Sequence, residues 1–280
     1  MKLGINLPYR RVNGEALTAQ EIMARAALLE RLGLDGIWMG ETVGRTDFAG
    51  VDTLAWLGAA AAGTQRIEIG TCVIQVPLRS PVELATRLMT LQALSGGRLV
   101  AGLGSGSTPK DFEATGVDFG ARFRLLRDYT TKIKALLNGE TVDGVNIHPW
   151  PNVLGGPPIV IGAGRSDRWI KRAAEEYAGW MASGFSGLTF LREGAQRYRD
   201  LGGTGRLICA TVNVNLRAPY ERLDETGRFN LQCPPEEAAG RLGQLAEAGY
   251  DTIVVTRLNY AAEDWPEADL AELRSLLPRA

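Results

Sequence analysis

The chain has 280 residues, of which 45% are hydrophobic and 22% are charged, and its formal net charge is −1. This composition supports a sizeable core and gives no indication of nucleic acid or a membrane surface as a partner. No apolar run is long enough to span a membrane, and the start, MKLGINLPYR, is not typical of a signal peptide. Three widely spaced cysteines favour a reduced protein, so we expect a cytoplasmic location.

Short apolar runs alternate with segments of helical periodicity along the whole chain. The strand pattern covers residues 3–7, 36–40, 67–74, 99–103, 158–162, 178–183, 206–216 and 252–256. The helical pattern covers residues 18–32, 52–62, 80–95, 119–137, 166–177, 188–201, 235–248 and 268–277.

Several of these helices carry recognisable end signals. Thr18 and Glu21 form a capping box at the start of the first helix. Ser80 is a typical N-cap, and Pro81 suits the first turn of the third helix. Glycine follows the ends of several helices, as at Gly33.

Eight strands that alternate strictly with eight helices indicate a parallel sheet. For a chain of this length, the pattern fits a closed (β/α)₈ TIM barrel better than an open sheet. The irregular stretch 138–156 is interpreted as a loop, so residues 1–280 are predicted to form a single barrel domain.

The active site of such a barrel lies at the carboxyl ends of its strands. The residues placed there by this topology are Asn6, Pro8, Glu41, Thr42, Cys72, Val73, Ile74, Gln75, Gly104, Ser105, Gly106, Ser107, Gly162, Ala163, Gly164, Arg165, Ser166, Ser183, Gly184, Asn213, Asn215 and Arg257. The glycine-rich GLGSGS stretch at residues 102–107 suggests that backbone approaches a ligand closely there.

Several familiar chemistries are excluded. The glycines after the fourth strand do not complete a dinucleotide fingerprint, and no Walker loop is present. His148 is the only histidine, so no histidine-based metal site is expected. A catalytic triad would depend on His148, and the chain has no GxSxG elbow.

The segment IVIGAGRSD at residues 159–167 is the clearest binding signal. A strand opens into a glycine-rich turn and then a helix, whose free N–H groups suit a phosphate. The residues concerned are Gly162, Ala163, Gly164, Arg165 and Ser166. An ordinary strand-to-helix loop capped by Ser166 is the alternative.

The chain resembles the bacterial luciferase-like oxidoreductases, which use flavin or the deazaflavin coenzyme F420. The resemblance rests on GLDGIWMGE at 33–41, RIEIGTCV at 66–73 and RSPVELATRLMTLQALSGGRLVAGLGSG at 79–106. It continues through IGAGRSDRWIKRAAEEYAGW at 161–180 and PEEAAGRLGQLAEAGYDTIVV at 235–255. Members of the family are (β/α)₈ barrels, as the strand count indicates independently.

The resemblance implies a cofactor ring over the strand ends, next to Asn6 and Thr42. Cys72 and Val73 match the place where the family often has a non-prolyl cis peptide. The pocket would be lined by Gly104, Ser105, Gly106 and Ser107. The cofactor phosphate would be held by Gly162, Ala163, Gly164, Arg165 and Ser166.

One departure from the family pattern concerns the end of the second strand. Deazaflavin-dependent relatives often carry Asp-His there, and this chain has Glu41-Thr42. Thr42 does not titrate near neutral pH, so a proton-handling role is lost or moved. Glu41 is therefore a candidate catalytic residue for proton transfer or orientation, with a solvated loop acid as the alternative.

The function implied by the resemblance is hydride transfer with F420 to or from a small organic substrate. One alternative is an FMN-dependent monooxygenase supplied by a separate reductase, and another is a flavin-binding protein without turnover. We expect no metal, nucleic acid or membrane partner.

Four single residues and the second helix are interpreted separately from the cofactor site. Trp38 is expected to pack inside the barrel, Cys72 to be a buried thiol and His148 to lie on the surface. Arg257 is either a second anchor for phosphate or substrate, or a surface residue. The second helix is apolar on every side, which together with the resemblance predicts a homodimer.

Overall fold

The computed structural model describes residues 1–44, 50–162, 164, 166–257 and 265–278. The strands in this part of the chain are β1 (Lys2–Asn6), β2 (Gly36–Met39), β3 (Glu68–Thr71), β4 (Ile74–Gln75), β5 (Leu99–Gly104), β6 (Ile159–Gly162), β7 (Gly179–Ser183), β8 (Arg206–Asn215), β9 (Asn230–Gln232) and β10 (Thr252–Thr256). The helices are α1 (Ala19–Arg31), α2 (Thr53–Ala62), α3 (Pro81–Leu94), α4 (Pro109–Thr115), α5 (Arg122–Leu137), α6 (Asp167–Glu176), α7 (Leu188–Asp200), α8 (Pro235–Glu247) and α9 (Glu267–Ser275).

Parallel strands form a closed barrel in the order β10, β1, β2, β3, β5, β6, β7 and β8, and β8 pairs with β10 to complete the ring. The predicted (β/α)₈ TIM barrel is therefore confirmed. The two short strands lie outside this ring, where β4 pairs with the end of β5 and β9 with the end of β8. The described candidate residues at strand ends thus share one rim, the mouth of the barrel.

The sequence reading differs from the structure in three elements near the mouth. The predicted strand 67–74 is interrupted, because β3 ends at Thr71 and β4 begins at Ile74. Helix α4 and strand β9 were not predicted, since seven and three residues are too few to show a periodic pattern. Thr108, Pro109 and Gly116 are end signals that could have revealed α4, because Pro109 occupies its first turn and Gly116 has φ +69°.

Trp38 fills the middle of the barrel, as predicted. Its side chain is fully buried and packs with Val100, Met181, Val254 and other inward-facing residues. The glycines of the neighbouring strands make room for its ring, because a Cβ atom at Gly70 would lie only 2.2 Å from a ring carbon. The barrel is therefore closed by side chains beneath its mouth.

The helices cover the barrel through a second, larger apolar cluster. The capping box of α1 is present, since the Glu21 N–H donates to Thr18 Oγ1 and Glu21 Oε2 accepts from the Thr18 N–H. Helix α2 buries Leu54 and Leu57 within the chain and leaves Ala55 exposed. Among the described residues, no helix combines the length and apolarity needed to cross a bilayer.

Candidate functional site

One side of the mouth is apolar and is built around Val73. The Cys72–Val73 peptide bond is cis, at the position that the family resemblance implied. Cβ atoms at Gly104 and Gly162 would lie 2.5 and 2.7 Å from Val73 methyl carbons. The absence of side chains at these two glycines thus makes room for Val73, and the close approach of a ligand to residues 102–107 remains a prediction.

The loop after β5 is shaped in the same way by protein atoms. Gly106 has φ +76°, and a Cβ there would lie 2.4 Å from Gln75 Oε1 and 2.8 Å from the Phe112 ring. Ser105 is buried, whereas Ser107 is exposed. Their roles in lining a cofactor pocket remain predictions.

Polar residues from three adjacent strands line the opposite side of the mouth. Asn213 on β8 pairs with Thr256 on β10, and Asn6 on β1 follows directly after the Ile5–Val255 pair. Thr256 shares a face with the inward-facing Val254, so all three side chains belong to the inner face of the barrel. We call Asn6, Thr256 and Asn213 the mouth row.

Glu41 is held in place by two donors at the end of β2. Its carboxylate forms an ion pair with Arg79 and accepts a hydrogen bond from the Gln75 N–H at 2.9 Å. Burial, with 7% of the side chain exposed, raises the pKa of Glu41 above its usual value, while the Arg79 charge opposes that rise. The solvated-acid interpretation of Glu41 is therefore wrong, and its catalytic role remains a prediction.

A buried network extends from this pair to helix α4. Gln75 Nε2 donates to Asp111 Oδ2 at 2.6 Å, and Asp111 Oδ1 accepts from the N–H groups of Val43 and Gly44. Asp111 is only 1% exposed, so its charge depends on these donors. Sequence reasoning missed Asp111 and Arg79, because their contacts join segments far apart in the chain.

A cavity of about 530 Å³ lies beside Glu41, between the starts of α2 and α3. Its lining combines charges of both signs, and Asp52 and Arg87 pair across it at 2.8 Å. Thr42 is half-buried and faces this cavity together with Glu41. A second groove, of about 540 Å³, lies between the ends of α7 and α8, far from the mouth.

The predicted phosphate loop connects β6 to α6. Gly164 is exposed with φ +59°, and no atom lies within 4 Å of the position that its Cβ would take. Ser166 precedes α6, but its side chain makes no capping hydrogen bond, so the first N–H groups of the helix lack a side-chain cap. Ala163 and Arg165, the other two predicted residues, lie outside the described residues.

The structure also describes Cys72, His148 and Arg257. Cys72 is half-buried, and burial raises the pKa of its thiol to about 12, which keeps it protonated near neutral pH, while its contact with a cofactor remains a prediction. His148 is exposed, as predicted. The Arg257 guanidinium pairs with Asp269 at 2.7 Å and lies 5.0 Å from the centroid of the Trp265 ring. Within the described ranges, no group of three or more His, Cys, Asp and Glu could hold a metal.

Comparison with known sequences supports the family resemblance. Residues 1–206 match the family described as luciferase-like monooxygenase. A Mycobacterium tuberculosis protein, provisionally named a coenzyme F420-dependent oxidoreductase, is 30% identical over 253 residues, which are 76% of this chain and 66% of that protein. Limonene 1,2-monooxygenase of Rhodococcus erythropolis is 34% identical over 140 residues, which are 48% of this chain and 35% of that enzyme. The chain thus spans about a third to two thirds of the length of these relatives.

Solved structures share the fold at low sequence identity. An F420-dependent secondary alcohol dehydrogenase in complex with an F420–acetone adduct superposes with a TM-score of 0.76 at 14% identity, covering 99% of this chain and 98% of that one. The oxygenating constituent of 3,6-diketocamphane monooxygenase from Pseudomonas putida, in complex with FMN, gives 0.72 at 16% identity and covers both chains completely. The family match over residues 1–206, together with this barrel, shows that the chain belongs to the luciferase-like monooxygenase family of oxidoreductases, which has F420-dependent and FMN-binding members.

Proposed function

We propose that the protein uses F420 to transfer a hydride to or from a small organic substrate. The observation that carries the proposal is the two-sided mouth, in which the apolar wall at Val73 faces the mouth row. The choice of F420 is supported by the provisionally named F420-dependent relative, whose match covers 76% of this chain.

The mouth suits a flat ring for reasons of shape and polarity. Val73, Gly104 and Gly162 form a low apolar wall against which one ring face can pack. Asn6 is 6% exposed, and no described group forms a hydrogen bond with its amide. The amide of Asn6 is therefore available to form hydrogen bonds with a ligand in the mouth.

The turn between β6 and α6 suits the cofactor phosphate. The first N–H groups of α6 lack a side-chain cap, and the space beside Gly164 is open. The N-terminus of this ten-residue helix also carries positive partial charge, which favours an anion. Arg165 adds a positive charge to this segment of the sequence.

The cofactor supplies the redox chemistry, and the protein binds, orients and shields it. Within the protein, Glu41 is the titratable group proposed to hold a proton at the edge of the mouth. Its raised pKa brings protonation closer to neutral pH, while Arg79 and the Gln75 N–H fix the carboxylate in one orientation. Thr42 is proposed to contact the cofactor from the same strand end.

The alternatives differ in cofactor and in turnover. FMN with a separate reductase would make the protein the oxygenating component of a two-component monooxygenase, as the likeness to the FMN-bound Pseudomonas protein suggests. A flavin-binding protein without turnover would account for a threonine at position 42, where the relatives often have histidine.

Fluorescence titration separates these candidates. The purified protein is titrated with F420 and with FMN, and riboflavin is the matched ligand that lacks the phosphate. We expect F420 to bind more tightly than FMN, and FMN more tightly than riboflavin, because of the phosphate site. Selective binding of FMN followed by oxygen consumption would favour the monooxygenase, and failure to bind either cofactor would contradict the proposal.

Kinetics test the role of Glu41. Glu41→Gln keeps the shape of the side chain and removes its charge, so we expect turnover to fall by about a hundredfold while cofactor affinity changes little. Thr42→His restores the residue that relatives carry and is expected to raise turnover. Equal activity of the wild type and Glu41→Gln would remove Glu41 from catalysis.

We also propose a homodimer formed through α2, whose outward residues Ala55 and Ala62 are small and exposed. Light scattering at micromolar concentration should then give twice the mass of one chain, 30.2 kDa. A mass of one chain would contradict this assembly.

A further inference from the structure

Strand β8 contains a bulge directly below the mouth. Ile253 and Val255 of β10 pair with Cys209 and Val212, so Ala210 and Thr211 together face the single residue Val254. Thr211 has φ +60°, which is rare for a β-branched residue. Bulges of this kind are common next to active sites, where they change the direction in which side chains point.

The bulge determines which side chains reach the mouth. Before it, Ile208 and Ala210 face the interior of the barrel and belong to the cluster around Trp38. After it, Val212 and Val214 pack outward in the helix-facing core, so Asn213 takes the inward position. If the strand alternated regularly through Thr211, the two valines would face the mouth and Asn213 would face the helices.

Strands β1 and β10 place two more neutral polar side chains beside Asn213. Thr256 is 2% exposed and directly opposite Asn213, and its hydroxyl makes one long hydrogen bond, 3.4 Å to the Arg257 carbonyl. Asn6 is 6% exposed, and no described group forms a hydrogen bond with its side-chain amide. The barrel thus places a strip of uncharged hydrogen-bonding groups at its mouth, of which the two amides have no partner among the described residues.

Amide side chains fit one class of ligand group particularly well. Each amide offers both a donor and an acceptor, so it can donate to a carbonyl oxygen or accept from a hydroxyl. An alcohol and its ketone differ by a hydride on carbon and a proton on oxygen, and both forms keep an oxygen that the row can bind. A carboxylate or phosphate would instead call for a cation, and the nearby Arg257 is already paired with Asp269.

We propose that the mouth row, Asn6, Thr256 and Asn213, selects small neutral substrates that carry a hydroxyl or carbonyl group on an apolar body. This inference rests on the proposed function, since it assigns the substrate side of the same mouth. The cofactor ring takes the Val73 side of the mouth, the apolar body of the substrate packs against the exposed face of the ring, and the substrate oxygen is bound by the two amides. Asn213 and Asn6 are specificity-determining residues in this arrangement.

The test compares two probes of nearly the same shape. Cyclohexanone and methylenecyclohexane differ only by C=O in place of C=CH₂, and cyclohexanecarboxylate adds a charge. Binding to the wild type, Asn213→Leu and Asn6→Leu is measured by saturation-transfer NMR, for the protein alone and with F420 or FMN present. Asn152→Leu is the matched control, because Asn152 is exposed on the turn that precedes β6, at the other end of the barrel.

We expect the wild type to prefer cyclohexanone over both other probes. Loss of one neutral hydrogen bond should reduce its affinity roughly three- to tenfold in Asn213→Leu and in Asn6→Leu, with methylenecyclohexane binding equal or tighter. An unchanged preference in both variants, or tighter binding of cyclohexanecarboxylate, would overturn the inference. Failure of the wild type to bind either cofactor would instead contradict the proposed function. In that case, the preference for cyclohexanone measured on the protein without cofactor still tests the role of the mouth row.

Discussion

The polar side chains at the two ends of the barrel differ in how completely they are hydrogen-bonded. At the end remote from the mouth, β1, β3 and β8 contribute Lys2, Glu68 and Arg206, whose charges are paired with one another. Arg206 also donates to Asp251 at 3.2 Å and to Thr252 Oγ1 at 2.6 Å, so this polar layer is internally satisfied. We call it the closed end.

At the mouth, β1, β10 and β8 contribute Asn6, Thr256 and Asn213, and the two amides have no hydrogen-bond partner among the described residues. The satisfied layer stabilises the barrel, whereas the unpaired amides at the mouth are the groups that we propose bind a ligand.

The largest effect on stability is expected from a substitution beside Trp38, which fills the barrel between its two ends. Gly70→Ala would place a Cβ atom 2.2 Å from the Trp38 ring, and the surrounding strands leave that ring no space to move. We expect a loss of about 3 kcal/mol in the free energy of unfolding, measured by urea denaturation.

The control for that substitution is Gly240→Ala on the exposed face of α8, where no atom lies within 4 Å of the new Cβ. This change should stabilise the protein by about 0.5–1 kcal/mol, because alanine favours helix more than glycine does. Equal stability of the two variants would show that Trp38 does not need the glycine at position 70.

Removing the charge of Arg206 at the closed end should have the next largest effect on stability. Arg206→Met leaves Glu68 and Asp251 without their shared partner, and we expect a loss of about 2 kcal/mol in the free energy of unfolding. Adding Glu68→Gln should recover part of that loss, because Glu68 in the single variant keeps only the exposed Lys2 as a partner and its charge is no longer well compensated. Additive effects of the two substitutions would mean that the ion pair contributes nothing to stability.

Much of the fold could be predicted because the signals are local. The capping box at Thr18 and the proline at position 81 lie within a few residues of the features they mark. Strand–helix alternation then leaves few topologies for a parallel sheet. The position of the cis bond at Cys72–Val73 came from the family resemblance, since no local rule places one at a non-proline residue.

The site was harder to predict because its key contacts are not local. Glu41 meets Arg79, and Gln75 meets Asp111, only after the strands assemble. The bulge at Thr211 carries no glycine that would mark a positive φ, so simple alternation along β8 would have assigned its last residues to the wrong face. Tertiary structure, rather than propensity, decides these positions.

A substitution in the mouth row is expected to change stability less, and to increase it. Asn6→Leu replaces a largely buried polar residue, whose amide has no partner among the described residues, with an apolar one, so the free energy of unfolding should rise by up to about 1 kcal/mol. Saturating cofactor or cyclohexanone should stabilise the wild type more than the variant. Destabilisation by more than 1 kcal/mol in the absence of ligand would show that Asn6 supports the fold.

The smallest expected effect is on the pH dependence of stability, to which Glu41 at the mouth and Glu30 at the opposite end contribute differently. Burial raises the pKa of Glu41 at the mouth, despite the opposing Arg79 charge. For Glu30, burial also acts upward, but the N–H groups of Ile67, Arg66 and Gln65 donate to it and lower its pKa below the usual 4.5. The two groups should therefore give stability–pH slopes in different ranges of pH and of opposite sign.

The folded protein binds the Glu41 proton more tightly than the unfolded chain, so the stability from Glu41 is complete below its unfolded pKa and is lost as pH rises through the folded value. The stability of the wild type relative to Glu41→Gln should thus fall as the pH rises above the usual carboxyl pKa of 4.5. Glu30 releases its proton more readily when folded, so the advantage of the wild type over Glu30→Gln should be lost as pH falls below about 4.5. Urea denaturation as a function of pH measures both slopes, and slopes of the same sign would contradict the opposite pKa shifts of Glu41 and Glu30.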